Sequence, residues 1–283
     1  MPTQPAIPRP SASILLVRDG PKGLEVLTLL RSARLGFAAG MLAFPGGRVD
    51  VADGAWRLRR HARQGRGVSV MDLVYRLAAL RELFEEAGLL LARPRLANSR
   101  LAAGRALRLA HRYRYRVHAK RLSFAALAER ADLVLETDRL IPFAHWITPA
   151  IAPKRFDTRF YLAAAPAGQR AVADGSESLQ VAWRRPQDSL AAWQAGDETL
   201  MFPTRLNLVK LARAGSVFEA LQAARAAPVS RVTPQLADDG GRKLVIPEEA
   251  GFGITEAEES DLDPLERQAM AAHLEALKGR PWR

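Results

Sequence analysis

The residues best able to do chemistry in this chain stand together in Arg81-Glu82-Leu83-Phe84-Glu85-Glu86-Ala87-Gly88. On a helical wheel of ~100° per residue, Glu85 and Glu86 fall within ~60° of Glu82, so three carboxylates crowd one face. Leu73, Leu77, Leu80, Phe84 and Ala87 lie within ~40° of the opposite direction and form a core-facing stripe. Like charges three and four residues apart on an exposed helix repel by roughly a few tenths of a kcal/mol per pair. Near a helix C-terminus the macrodipole adds to that penalty. A divalent cation relieves both, since Mg²⁺ takes oxygen ligands and usually keeps several waters. The competing reading is a solvated acidic patch in which Arg81 pairs with Glu85 one turn on.

The elements that must position these groups are legible at low resolution. Residues 71–90 give the strongest helical pattern, with Asp72 as expected N-cap and Gly88 near the C-terminal turn. Upstream, Ile14–Val17 and Leu24–Leu30 read as a hairpin through Asp19-Gly20-Pro21-Lys22-Gly23. Phe44-Pro45-Gly46-Gly47 is a turn that ends a strand, and its paired glycines let backbone approach a ligand closely. Residues 54–70, arginine-rich and interrupted by Gly65 and Gly67, look like an insertion on the surface outside the core. Helices are expected near 101–118, from Ser123, near 187–194, 204–213, 216–226 and 263–278. Strands are expected at Phe143–Ile147, Phe160–Ala164, Leu179–Trp183 and Lys243–Ile246. Strands and helices interleave without a regular βαβ period, which predicts an α/β fold with a mixed sheet covered by helices.

Composition narrows the function. With 283 residues, 48% of them hydrophobic, the chain can bury a sizeable core. It has no cysteine, which excludes disulfides, thiolate metal sites and cysteine nucleophiles. No apolar run is long enough to span a bilayer, and the Pro-rich start does not read as a secretory signal, so a cytoplasmic location is expected. The net charge of +12 suits a polyanionic partner. That charge is uneven: residues 93–121 carry ten Lys/Arg and no acid, whereas Glu256, Glu258, Glu259, Asp261, Asp263 and Glu266 cluster near the end. Such runs are either solvated faces or a positive rim that concentrates a phosphorylated substrate.

Gly47 followed by Arg81-Glu82-Leu83-Phe84-Glu85-Glu86-Ala87-Gly88-Leu89 resembles the Nudix box, G-x5-E-x7-R-E-U-x-E-E-x-G-U with U aliphatic. The second half matches at every specified position, and the Phe-Pro-Gly-Gly lead-in matches too. Ala144-His145-Trp146-Ile147-Thr148-Pro149, Arg155-Phe156-Asp157-Thr158-Arg159-Phe160 and Phe202-Pro203-Thr204 resemble a subgroup of large Nudix proteins that includes the peroxisomal-type coenzyme A diphosphatases. Gly47 and Arg81 stand 34 positions apart rather than 14, an expansion characteristic of that subgroup. Counting from Gly47 makes Asp53 the first acid of the box; counting back from Arg81 makes it Leu73.

The resemblance implies a Nudix-type α/β/α sandwich with extra helices, comprising residues 1–230, with insertions at about 54–70 and 95–135 and an extension at 231–283. It implies metal-dependent hydrolysis of a pyrophosphate bond. Glu82, Glu85 and Glu86 would hold Mg²⁺ or Mn²⁺ together with the Gly46 carbonyl, and Arg81 would orient Glu85. The base would be one of the box glutamates or a glutamate on a distant loop, for which Glu177 is the candidate and Glu136 a weaker competitor. Arg31, Arg34, Arg155 and Arg159 are candidates for substrate phosphates. The stretch from Leu29 to Gly47 partly resembles a coenzyme A-recognition signature, although Phe37 stands where its second arginine is usual and Arg34 would have to substitute. His145 and Trp146 read as core or wall.

The substrate expected is coenzyme A or an acyl-coenzyme A, with ADP-ribose, NADH or a capped RNA end as alternatives. A third reading, of another class, is a non-catalytic Nudix-fold module binding nucleotide or RNA. The basic segment with Tyr113 and Tyr115 interleaved supports it, since aromatics among arginines can stack bases. At helical spacing those tyrosines read instead as packing residues. The intact glutamates favour the enzyme.

Overall fold

Seven successive residues, Ser11 to Val17, are buried, the mark of a strand covered on both faces. In the computed structural model, which describes residues 6–33, 38–97, 99–237 and 243–278, they lie in β1 (Arg9–Gly20), central in an eight-stranded mixed sheet. β1 turns through Pro21 and Lys22 into β2 (Gly23–Arg31), with Gly23 at a φ of 111° that glycine alone adopts readily. Two short strands follow, β3 (Leu42–Ala43) and β4 (Gly46–Arg48). β2 pairs with the end of β1 from Val17, and β4 pairs with its start at Ser11–Ser13. This fork places the Gly46-Gly47 turn against the middle of the sheet.

Next come α1 (Trp56–Arg59), α2 (Val70–Ala87), β5 (Ala92–Pro94), α3 (Ala103–His118), α4 (Phe124–Arg130) and β6 (Leu133–Leu135). β5 and β6 pair with each other, so α3 and α4 ride on a separate two-stranded ribbon. The main sheet resumes with β7 (Ile141–Ile147) and β8 (Phe156–Ala164), the latter parallel to β1, and β9 (Ser178–Arg184) pairs with β2. After α5 (Pro186–Ala195), α6 (Phe202–Leu211) and α7 (Val217–Ala226), β10 (Arg231–Val232) joins the sheet beside β7. β11 (Gln235–Leu236), β12 (Lys243–Val245) and β13 (Glu256–Glu258) make a three-stranded sheet before α8 (Pro264–Lys278).

Alternation along β1 divides the core in two. Ala12, Ile14 and Leu16 pack with α2, α3 and α4, whereas Leu15 and Val17 pack with α6, α7 and the last fifty residues or so. The result is the expected α/β/α sandwich with a mixed sheet. Among the described residues, no helix is long and apolar enough to cross a membrane.

Several expectations change. The N-cap of α2 is Ser69, whose hydroxyl accepts from the Asp72 N–H at 3.1 Å; Asp72 lies inside the first turn. The segment 54–70 is not wholly outside the core. Leu58 and His61 are buried, and the Leu135 and Arg63 amides donate to the His61 and Leu135 carbonyls, both at 2.7 Å. Its arginines hid this packing, because too few apolar residues mark the segment for a period to emerge. The C-terminal stretch also enters the core: Phe252 packs on Trp146 with ring centroids 5.0 Å apart. Tyr113 is a packing residue as expected, but Tyr115 is exposed.

Candidate active site

α2 is fixed at both ends before its glutamates are considered. Ser69 caps its start, and Gly88, at a φ of 71°, closes its end with an N–H bonded to the Phe84 carbonyl. Leu73, Leu77, Leu80, Phe84 and Ala87 are buried against the sheet and α4, where Phe84 meets Phe124 at 5.9 Å between centroids. Arg114 of α3 holds the last turn: its Nε donates to the Glu85 carbonyl at 2.8 Å and its Nη1 to the Val172 carbonyl at 2.6 Å. A guanidinium at the negative end of the helix dipole offsets part of the repulsion among the glutamates.

The glutamate face is organised by Arg81. Its Nε and Nη2 grip the two Asp53 carboxylate oxygens, each at 2.9 Å, in a two-pronged pair. Nη2 also donates to the Arg48 carbonyl at 2.8 Å, and Nη1 reaches Glu82 at 2.7 Å and Glu85 at 3.3 Å. Asp53 lies fully buried in a 3-10 turn (Val51–Gly54). The count from Gly47 therefore finds the first acid of the box, and Leu73 belongs to the core. The Gly46 N–H donates to Glu86 at 2.8 Å. A Cβ on Gly47 would sit 2.5 Å from a Glu82 oxygen, so a side chain there would displace Glu82.

The site holds more negative charge than its cations neutralise. Asp53, Glu82, Glu85 and Glu86, with Asp174 and Glu177 nearby, outnumber Arg31, Arg81 and Arg114. Burial pushes the Glu82 carboxyl up to about 7, against the pull of Arg81 and with help from Glu85. Burial likewise raises Glu85, opposed by Arg81 and His118. Glu86 is raised well above the usual range by burial and by the charge of Glu82. Burial acts to lower the proton affinity of Arg81, but Asp53, Glu82 and Glu85 more than reverse it.

Among the described residues no three acidic or histidine side chains converge as ready-made metal ligands. Glu82 and Glu85 turn to Arg81, and Glu86 turns to the Gly46 amide. The donor set nevertheless fits a hard divalent cation: its side-chain atoms are all oxygen, and burial, with a smaller part from neighbouring carboxylates, raises the proton affinity of all three glutamates.

Other expected site residues divide sharply. Arg31 lies 4.0 Å from Glu86, and its Nε is buried with no hydrogen-bond partner among the described residues. Glu177 lies on the loop leading into β9, close enough to raise the proton affinity of Glu86. Both are brought to the glutamate face by the pairing of Arg31 with Ser178. Arg34 and Phe37 fall outside the described residues.

Arg155 and Arg159 are not brought there. Arg155 donates to the Thr148 and Ala6 carbonyls at 2.9 and 3.0 Å. Arg159 pairs with Asp72 at 3.3 Å and covers the Tyr75 ring at 4.2 Å. Ala12 of β1 pairs with Gly47 on one side and Arg159 on the other, so Arg159 is two strand spacings, ~10 Å, from the glycine turn. Glu136 is buried in a pair with Arg139 at 3.1 Å, and Trp146 is core, as expected, while His145 pairs with Asp157 at 2.6 Å. Reading the sequence missed Arg114, His118 and Asp174. The two α3 residues sit in a basic run whose spacing does not show which side chains turn inward.

With this geometry in hand, the family model of the NUDT19 Nudix domain matches residues 56–211. The chain belongs to that family. As a Nudix protein it is 26% identical over 234 residues to human acyl-coenzyme A diphosphatase NUDT19, covering 69% of this chain and 62% of the relative. It is 28% identical over 261 residues to the chicken protein of the same name, covering 74% and 69%. The chain thus spans about two thirds of the length of these relatives. Among solved structures, a Nudix hydrolase from Alicyclobacillus acidocaldarius superposes with a TM-score of 0.61 at 26% identity, over 77% of this chain and 96% of that one.

Proposed function

We propose that this Nudix domain hydrolyses the pyrophosphate bond of a nucleoside diphosphate derivative, with coenzyme A or an acyl-coenzyme A as substrate. The observation that carries the reading is the buried surplus of carboxylate on the last two turns of α2, organised by the Arg81–Asp53 pair. The names of the human and chicken relatives support the choice of substrate.

Glu82, Glu85 and Glu86, with the Gly46 carbonyl, would hold Mg²⁺ or Mn²⁺, which when bound neutralises phosphate charge and lowers the pKa of water. Arg81 keeps Glu82 and Glu85 at their positions. Arg31, with an unused buried N–H beside Glu86, offers a cation to a phosphate oxygen. Glu177 takes the proton of the attacking water as its oxygen bonds to phosphorus and the bridging P–O bond breaks, leaving two phosphate monoesters.

The test is kcat/KM for coenzyme A, dephospho-coenzyme A, ADP-ribose and NADH, with Mg²⁺ and then Mn²⁺. Coenzyme A is expected to be hydrolysed fastest. If ADP-ribose or NADH wins by about tenfold, equivalent to ~1.4 kcal/mol in the transition state, the coenzyme A assignment falls. No hydrolysis of any of the four overturns the whole reading.

A further inference from the structure

Glu177 reaches the glutamate face on a loop folded around one carboxylate. Asp174 Oδ1 accepts from the Ser176 N–H at 2.5 Å, the Ser176 hydroxyl at 2.6 Å and the Glu177 N–H at 2.8 Å. Asp174 Oδ2 accepts from the Ser178 hydroxyl at 2.7 Å and the Ser178 N–H at 3.2 Å. Gly175, at a φ of 78°, closes the turn, and its N–H donates to the Ser178 carbonyl at 3.0 Å. Gly175 and Ser176 are exposed, so no core contact fixes the tip of this loop.

The loop is also tied to both walls of the site. The Ser32 N–H donates to the Glu177 carbonyl at 2.8 Å, which joins it to the end of β2 beside Arg31. The Ser178 hydroxyl lies 3.2 Å from the Glu86 carbonyl, which joins it to α2. Arg114 bonds the carbonyls of Val172 and Glu85, bridging the chain just before the loop to the same helix. A second acid placed near Glu86 and Glu177 adds repulsion to a site already overcharged. Such a residue is tolerated when its carboxylate satisfies donors that nothing else would satisfy.

We propose that Asp174 is the positioning residue for the base, setting Glu177 against Glu86 and Arg31. This rests on the reading of Glu177 as the base. Five donors on one carboxylate leave the loop a single conformation, and Glu177 follows directly in that conformation. Without Asp174 the substrate site would stand, but the base would be spread over many positions, and a displacement of ~1 Å is enough to slow proton transfer strongly.

The test measures kcat and KM for coenzyme A with Mg²⁺, using the full chain and the variants Asp174→Ala, Asp174→Asn, Glu177→Gln and Asp174→Ala/Glu177→Gln. Asp174→Ala should lower kcat by roughly 100-fold, within the range of a general base, with KM changed by less than about threefold. Asp174→Asn, whose amide oxygen still accepts from the Ser176 and Glu177 amides, should regain about tenfold of that loss. The double variant should be no slower than Glu177→Gln alone, because the positioning residue has nothing left to position. Additive losses, or an unchanged kcat in Asp174→Ala, overturn the proposal. Full activity in Glu177→Gln also overturns it, whereas Glu86→Gln, if inactive, would still support the pyrophosphatase reading. Should Asp174→Ala fail to fold, Ser176→Ala, which keeps the carboxylate and removes a hydroxyl bonded to Asp174, is put through the same comparison: a smaller fall in kcat is expected, and no fall overturns.

Discussion

The two ends of α2 carry the same kind of residue and treat it oppositely. In the first turn, Asp72 accepts from Arg76 at 2.5 Å, from the Tyr161 hydroxyl at 2.7 Å and from Arg159 at 3.3 Å. One carboxylate meets two guanidiniums and a hydroxyl. About 15 Å further along the helix, Glu82 and Glu85 share Arg81, and Glu86 has one amide and a guanidinium 4.0 Å away. Buried charge that is matched holds elements together; here it ties α2 to β8 and, through Arg76 and the Thr137 carbonyl at 3.0 Å, to the turn before β7. Buried charge in surplus lowers stability unless something outside the chain completes it. The contrast separates matched acids from unmatched ones within a single helix.

The largest expected effect tests that separation directly. Glu85→Gln or Glu86→Gln should lower kcat by roughly 10²–10³-fold or more while leaving the melting temperature unchanged or higher, since each removes a surplus charge. Asp72→Asn should do the reverse. It removes the charge that Arg76 and Arg159 share, although Arg76 keeps the Thr137 carbonyl, so it should cost about 1–3 kcal/mol of stability in a denaturant titration and change kcat/KM by less than about threefold. If Asp72→Asn inactivates as deeply as Glu86→Gln at a temperature where it is folded, the two ends are one site and the comparison fails.

A smaller effect sharpens it. The Glu82 carboxyl is raised to about 7 from an ordinary 4.5, first by burial and then by Glu85, with Arg81 opposing. A group raised in the folded state contributes stability that is complete below its unfolded value and is lost as pH rises through its folded one. Metal-free protein should therefore lose stability between about pH 4.5 and 7, and Glu82→Gln should flatten that slope. Added Mg²⁺ should raise the melting temperature more at pH 8 than at pH 6, because only the ionised site binds it. A metal-induced shift that is equal at both pH values would mean the surplus charge is not what the ion completes.

The sequence alone determined α2, its apolar stripe, its Gly88 stop and the crowding of Glu82, Glu85 and Glu86, because helix period and capping are local. It also determined the central hairpin, Ile14–Val17 and Leu24–Leu30 around a Gly/Pro turn, while the sandwich followed from the family resemblance. Asp53 against Leu73 was open in the sequence; only the fold chose, because the choice depends on where the expanded loop returns to Arg81. Arg31 and Glu177, far apart in the chain, are brought toward Glu86 by the register of β2 with β9, whereas Arg155, just before β8, and Arg159, within it, are equally suggestive in type but are used up by backbone carbonyls and by Asp72. The burial of Leu58 and His61 inside an arginine-rich stretch was likewise settled by a backbone bridge to Leu135. Local pattern sets which side chains share a face of one element; which faces meet depends on register and loop closure between residues distant in sequence, and that information exists only in the folded chain.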